Sequence, residues 1–285
     1  MPPLPRPRPE RAGEPATTPP ATATEAISAL TDTPQPVTLT ATMTTDGSPV
    51  TEGLVWRIFD TTPDETGELV LAARSEDPTA TVSLPPGEYL VHVAYGRAQT
   101  SDTLSVVPGE NTKTIALEAG GLRLNAAIEG DIAIPPELLR FDVMTAGPES
   151  ERAPIAQQLA ANDIVTLNAG TYHVVSHFGA VNAIVRADLR VEPGQLTDAT
   201  LYHQASQVSF KLVSEPGGEA IADVDWTVQT PDGTTLFTEL GAFPSTVLAS
   251  GDYVVTAKQG ESVFDREFTV QPGEPQEIEV LTEAN

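Results

Sequence analysis

The tripeptide Gly-x-Tyr occurs three times at nearly constant spacing, as Gly87-Glu88-Tyr89, Gly170-Thr171-Tyr172 and Gly251-Asp252-Tyr253, with the tyrosines 83 and 81 residues apart. A glycine follows each tyrosine by seven residues (Gly96, Gly179, Gly260), and a Pro-Gly pair comes 12 to 14 residues later (Pro108-Gly109, Pro193-Gly194, Pro272-Gly273). Self-similarity at a fixed period means a tandem array. The period divides the chain into units at 36–118, 119–204 and 205–285, preceded by a segment 1–35. A unit of about 80 residues buries only roughly 60–65% of the surface of its unfolded chain, so each gains from packing on its neighbour.

Within each unit the apolar residues alternate with period two. Val37, Leu39, Ala41 and Met43 share one face and threonines take the other, which is the pattern of a half-buried strand. The other units open in the same way, at Leu122-Arg123-Leu124 and at Val208-Ser209-Phe210-Lys211-Leu212. An aromatic-centred run follows in each copy, placing Trp56, Phe141 and Trp226 at equivalent positions. One large side chain there can touch both sheets of a sandwich, so these three are expected in the core. In the Gly-x-Tyr element the glycine permits a sharp turn, and the tyrosine can bury its ring while its hydroxyl bonds backbone at the corner. The repeat tyrosines therefore read as structural. About seven short strands per unit, with turns every 8 to 12 residues, predict an all-β chain of three tandem antiparallel sandwiches.

Residues 1–35 contain nine prolines in a Pro/Thr/Ala-rich context and read as a disordered tether. A helical turn over Ala26–Leu30 is too short to be stable alone. The first unit joins the second through Ala119-Gly120-Gly121, which reads as a hinge because paired glycines restrain the backbone little. Leu201–Gln207 contains no glycine, so tighter stacking is expected between the second and third units.

The run Leu84-Pro85-Pro86-Gly87-Glu88-Tyr89-Leu90-Val91-His92-Val93, with Val107-Pro108-Gly109-Glu110 after it, resembles bacterial Ig-like or prealbumin-like modules of the carboxypeptidase-regulatory and PEGA type. All three units fit, over roughly residues 36–282. The chain is also similar to uncharacterised exported proteins of alphaproteobacteria. The resemblance implies Ig-like or prealbumin-like sandwiches that serve as spacers, adhesion elements or accessory binding domains.

Composition removes several functions. The net charge is −25, spread along the units, with 40 acidic against 15 basic residues, so nucleic acid and anionic bilayers are repelled. There is no cysteine, which excludes disulfides and thiolate metal sites. No apolar run approaches the roughly 18 residues needed to span a bilayer. The proline-rich start has no signal-peptide core, so a periplasmic or envelope location rests on the resemblance, with the cytoplasm as the alternative.

No nucleophile elbow, zincin helix, P-loop or dinucleotide fingerprint is present, and the chain is expected to be no enzyme, with no catalytic residue and no cofactor. His173 and His177 share a strand face but stand roughly 13 Å apart, too far to hold one zinc ion. The acidic loop offers Asp60, Asp64, Glu65 and Glu68 as a weak calcium candidate, without the ligand ladder of an EF-hand. Lys211 faces no asparagine in its own unit before Asn285, which argues against a self-formed Lys–Asn crosslink. The expected role is an acidic multi-domain spacer or scaffold of the bacterial envelope, with another protein or envelope component as partner. The alternative is an accessory glycan- or peptide-binding protein using divergent loops such as Asp60–Glu68 and Ala146–Arg152.

Overall fold

The period-two alternation becomes strand in all three units of the computed structural model, which describes residues 33–282. The predicted tether, apart from its last residues, lies outside the described residues, as does the Ala26–Leu30 turn. The first unit holds β1 (Gln35–Thr42), β2 (Leu54–Pro63), β3 (Leu69–Ser75), β4 (Thr79–Leu84), β5 (Gly87–Tyr95), β6 (Ala98–Val106) and β7 (Asn111–Ala116). The second holds β8 (Ala119–Ile128), β9 (Ile132–Ala133), β10 (Leu139–Thr145), β11 (Pro154–Leu159), β12 (Ile164–Asn168), β13 (Gly170–Phe178), β14 (Ile184–Val191) and β15 (Leu196–His203). The third holds β16 (Ala205–Val213), β17 (Asp225–Gln229), β18 (Thr235–Leu240), β19 (Ser245–Ala249), β20 (Gly251–Gln259), β21 (Ser262–Val270) and β22 (Gln276–Leu281).

The topology is the same three times. One sheet, ordered β4-β1-β7, β12-β8-β15 and β19-β16-β22, with the two-residue β9 added on β8 in the second unit, faces a four-stranded sheet, ordered β3-β2-β5-β6, β11-β10-β13-β14 and β18-β17-β20-β21. Pairing is antiparallel except that the first and last long strands of each unit run parallel, as Val37↔Asn111, Gly121↔Leu196 and Val208↔Gln276 show. A parallel pair needs a long crossover, and the rest of the sandwich supplies it.

Each unit builds its own core from the alternating residues. Trp56, Phe141 and Trp226 are fully buried between the sheets, with Leu39, Leu122 and Phe210 facing them from the opposite sheet. The two indole N–H groups donate to the carbonyls of Asp77 and Gly241. The repeat tyrosines form corners as expected. Tyr89 donates to the Pro85 carbonyl at 2.9 Å, Tyr172 to Asn168 at 2.7 Å and Tyr253 to Ala249 at 2.8 Å.

The glycine seven residues after each tyrosine turns the following hairpin, with φ of 61° at Gly96, 71° at Gly179 and 60° at Gly260. Left-handed backbone of this kind favours glycine. Two of these hairpins also form the junctions. Gly96 presses on Thr166 of β12, Arg97 N–H donates to the Thr166 carbonyl at 3.0 Å, and Gln99 N–H donates to Asn168 Oδ1 at 3.1 Å. Gly179 presses on Val247 of β19, the residue equivalent to Thr166. Asn182 bridges this second junction, donating to the Tyr253 hydroxyl and accepting from Ala249 N–H, both at 2.9 Å. Apolar packing continues across it, because Val247 joins the second core and Val181 packs on the third. An Asn182→Ala variant removes both bonds and is expected to lower stability by about 1–2 kcal/mol. Urea unfolding monitored by tryptophan fluorescence checks this, since Trp226 reports the third unit.

The hinge expected at Ala119-Gly120-Gly121 is not one. These residues begin β8, and Ala119 and Gly120 are buried. Gly120 pairs with Leu167, and Gly121 with Thr166 and Leu196. The Pro193-Gly194 turn closes over them: Gly194 N–H donates to Ala119 and Gly121 N–H to Gln195, each at 2.8 Å. A Cβ on Gly120 would lie 2.1 Å from the Glu192 carbonyl oxygen. The glycines are there for close approach rather than freedom.

The three units meet this position differently. Gln35 of the first unit accepts from Gly109 N–H, and Ser206 of the third donates to the Glu274 carbonyl. Glu118, held at φ 46°, fastens the same junction from the other side. Its carboxylate accepts from Thr45 N–H and Thr45 Oγ1, and its carbonyl accepts from Ala169 N–H.

Candidate functional site

The acidic loop does not gather its carboxylates into a ligand set. Asp64 Oδ1 accepts from Thr66 N–H at 2.8 Å, Thr66 Oγ1 at 2.6 Å and Glu68 N–H at 3.1 Å, so its charge is spent on closing the turn. The Thr66 hydroxyl, with the Glu68 and Thr66 amides, holds its carboxyl below the usual range. Asp60 similarly accepts from Thr62 N–H at 2.7 Å, while Glu65 and Glu68 extend into solvent. Among the described residues no group of three or more His, Cys, Asp or Glu is placed to hold a metal ion.

The histidines are also separated. His92 shares a hydrogen bond with Ser101. His173 lies between Asp188 at 2.7 Å and Arg152 at 3.2 Å. His203 is buried at the end of β15, 2.8 Å from Ser176 Oγ and edge-on to Phe178. Burial, with the neighbouring His177 second, lowers its pKa to about 4. Lys211 sits 2.7 Å from Glu277 and 2.9 Å from Glu279 on β22, hydrogen bonds that raise its pKa.

One constellation does converge, on the outer face of the second unit's four-stranded sheet. Arg140 of β10 pairs in register with His177 of β13. Asp142, two residues along, has a side chain only 13% exposed, and its two oxygens have different partners. Oδ2 lies 3.2 Å from His177 Nε2, and Oδ1 accepts from Gln158 N–H at 2.9 Å. Gln158 sits where the β10–β11 register shifts between Phe141↔Leu159 and Val143↔Ala156. Its φ of 56° is a left-handed conformation that a non-glycine residue adopts at a cost of about 1–3 kcal/mol. Bulges of this kind re-aim side chains. Arg140, His177 and Gln158 thereby line an open cavity of about 280 Å³ bordered by the hairpin tip at Gly179–Val181. The same tip and Arg140 border a second, more apolar cavity of about 440 Å³ at the junction with the third unit, where Leu138, Phe237 and Val247 contribute.

The other copies lack this arrangement. The positions of Arg140 and His177 are Val55 and Ala94 in the first unit and Asp225 and Lys258 in the third. In both, the stretch that corresponds to the bulge pairs regularly, as Trp56↔Ser75 with Ile58↔Ala73, and Trp226↔Glu239 with Val228↔Phe237. The cavities also lie away from the divergent loop tips that sequence reasoning favoured. The available signal was the departure of the second copy from its sisters at outward strand positions.

The fold and its junctions define a tandem β-sandwich repeat protein. The segment forming the third sandwich, residues 207–282, matches the family model of the Rhizobiales growth-associated tandem repeat domain. No curated protein matches the chain.

Among solved structures, the chain is similar to the Bacillus anthracis TIE protein at 12% identity and a TM-score of 0.26, covering 87% of this chain and 50% of that one. It is similar to a streptococcal ancillary pilin at 12% identity and a TM-score of 0.32, covering 88% and 100%. It is also similar to GBS52, the minor pilin of Streptococcus agalactiae, at 12% identity and a TM-score of 0.33, covering 59% and 95%. The chain spans half the length of the Bacillus anthracis protein. Likeness at this level bears on the fold alone.

Proposed function

We propose that this protein is a non-enzymatic structural and protein-interaction element of the bacterial cell envelope, acting as an acidic scaffold built of stacked sandwiches. The observation that carries the reading is the junction device. A hairpin glycine of one unit presses on the next unit's sheet, backbone hydrogen bonds cross both interfaces, and only one or two residues connect the strands. An array whose units are joined in this way holds spacing between its ends, which a scaffold requires and a small-molecule catalyst does not. The match of residues 207–282 to a growth-associated tandem repeat family supports a role connected with growth. The acidic surface favours a partner with a cationic face.

Location and partner are tested together in the native bacterium. After the outer membrane is permeabilised, added protease should degrade the chain while a cytoplasmic marker survives. In-cell crosslinking with mass spectrometry should then recover an envelope protein. Protection of the chain alongside the cytoplasmic marker would contradict the proposal.

A further inference from the structure

We infer that the two adjoining cavities, one on the second unit and one at its junction with the third, form a binding site for an extended peptide segment carrying one carboxylate side chain beside an aliphatic one. This inference goes beyond the scaffold reading and stands independently of where the protein resides.

The polar lobe is organised for a single carboxylate. Arg140 is exposed, its guanidinium donates to the neighbouring Leu139 carbonyl, and among the described residues it has no carboxylate within ion-pair distance. What sets Arg140 apart from other arginines without an ion pair is its place bordering both cavities, where it offers its charge to an anionic ligand. A guanidinium presents a planar fork that matches the two oxygens of a carboxylate. His177 and Gln158 add further polar groups, and Asp142 fixes both through separate oxygens. The left-handed backbone at Gln158 is local strain kept only where the bulge occurs, beside the cavity.

The apolar lobe decides for a peptide over a sugar. Leu138, Val181 and Val247 are aliphatic, and Phe237 turns into the third core, with its ring 6.4 Å from Phe210. Phe237 is half-buried and engaged in packing on the third core, so the lining is mainly aliphatic, and a leucine or valine side chain fits it. Glu137 borders the same lobe and repels a second acid there, so the segment bears its carboxylate at the Arg140 end. The substitution of Val55 and Ala94, or Asp225 and Lys258, at the equivalent positions predicts that the other two units do not bind.

The test uses the full chain, labelled with nitrogen-15 and titrated by NMR. The probes are acetyl-Gly-Leu-Glu-Leu-Gly-amide, its Gln counterpart and trigalacturonate. The Glu peptide should shift the amides of Gln158, Ala180, Val181 and Thr246. The Gln peptide should bind on the order of tenfold more weakly, as expected for loss of a charge-assisted pair. Arg140→Gln should abolish that discrimination, and Arg123→Gln, which alters the Asp198 ion pair on the other sheet, should preserve it. Absence of shifts at these amides, equal binding of the two peptides, or a response to trigalacturonate alone would each overturn the inference.

Discussion

Replacing Gly120 with alanine should destabilise the second unit by about 3 kcal/mol, in the upper range for forcing extra volume into packed structure. The added Cβ would sit 2.1 Å from the Glu192 carbonyl oxygen, 2.8 Å from that of Gln195 and 3.0 Å from Val191 Cγ1. Two of these atoms are backbone in the Pro193-Gly194 turn, and that turn is anchored by Gly194 N–H on Ala119 and by Gly121 N–H on Gln195. Relief therefore requires the turn to lift and both bonds to lengthen. Lifting has a second consequence, because Gly194 itself lies against Thr44 of the first unit.

Gly121→Ala is the control. Its Cβ would meet Leu196 Cδ1 at 2.9 Å, the end of a flexible side chain that can rotate away, and the cost should stay below about 1 kcal/mol. A hinge would predict the opposite pattern, with both substitutions mild and similar. Urea unfolding of the two variants followed by circular dichroism separates these outcomes.

Acidification should weaken the second unit through His203 by about 3 kcal/mol between neutral pH and pH 4. The folded-state pKa is lowered to about 4 by burial first and by the charge of His177 second, against an unfolded value of 6.5. Below pH 6.5 the unfolded chain takes up a proton at this residue and the folded chain does not. Stability is complete above that value and falls as pH drops, until the folded imidazole also protonates near pH 4. A displacement of about 2.5 units at roughly 1.4 kcal/mol per unit gives the magnitude.

Asp198, held below its ordinary value by the Arg123 hydrogen bond, adds its own loss chiefly below pH 4, under this window. The His203→Gln variant separates the contributions, because it leaves a hydrogen-bonding group near Ser176 without a titrating ring. Urea midpoints measured from pH 7 to pH 4 should fall more steeply in the parent than in this variant. Parallel slopes would show that His203 does not govern the acid response.

The fold was legible where one residue type has one physical use. Alternating Val37, Leu39 and Ala41 can only bury one face, a lone aromatic between them fills a sandwich, and a tyrosine after a glycine at a strand entrance makes a corner. The Gly120-Gly121 pair is ambiguous in sequence because glycine serves both loose backbone and close approach, and only the arrival of Glu192 and Gln195 from a distant turn decides between them.

The candidate site was hidden for a related reason. Arg140 and His177 occupy outward positions that sequence alternation marks as ordinary solvated surface. Cross-strand pairing sets them side by side, but what adds Gln158 to them is a register shift, and one extra residue in an edge strand leaves no periodic signature. Comparison among the three copies, residue by residue on the outer face, carries information that the pattern of the buried face does not.

Amide hydrogen exchange at the first junction tests the interlocked stack most directly. Arg97, Gln99 and Ala169 donate across it to Thr166, Asn168 and Glu118 respectively. Their exchange should be slowed to the level of core strand amides such as those of Leu122 and Val165. Exchange of these three amides at the rates of an unstructured peptide, while the strands on either side stay protected, would contradict the account.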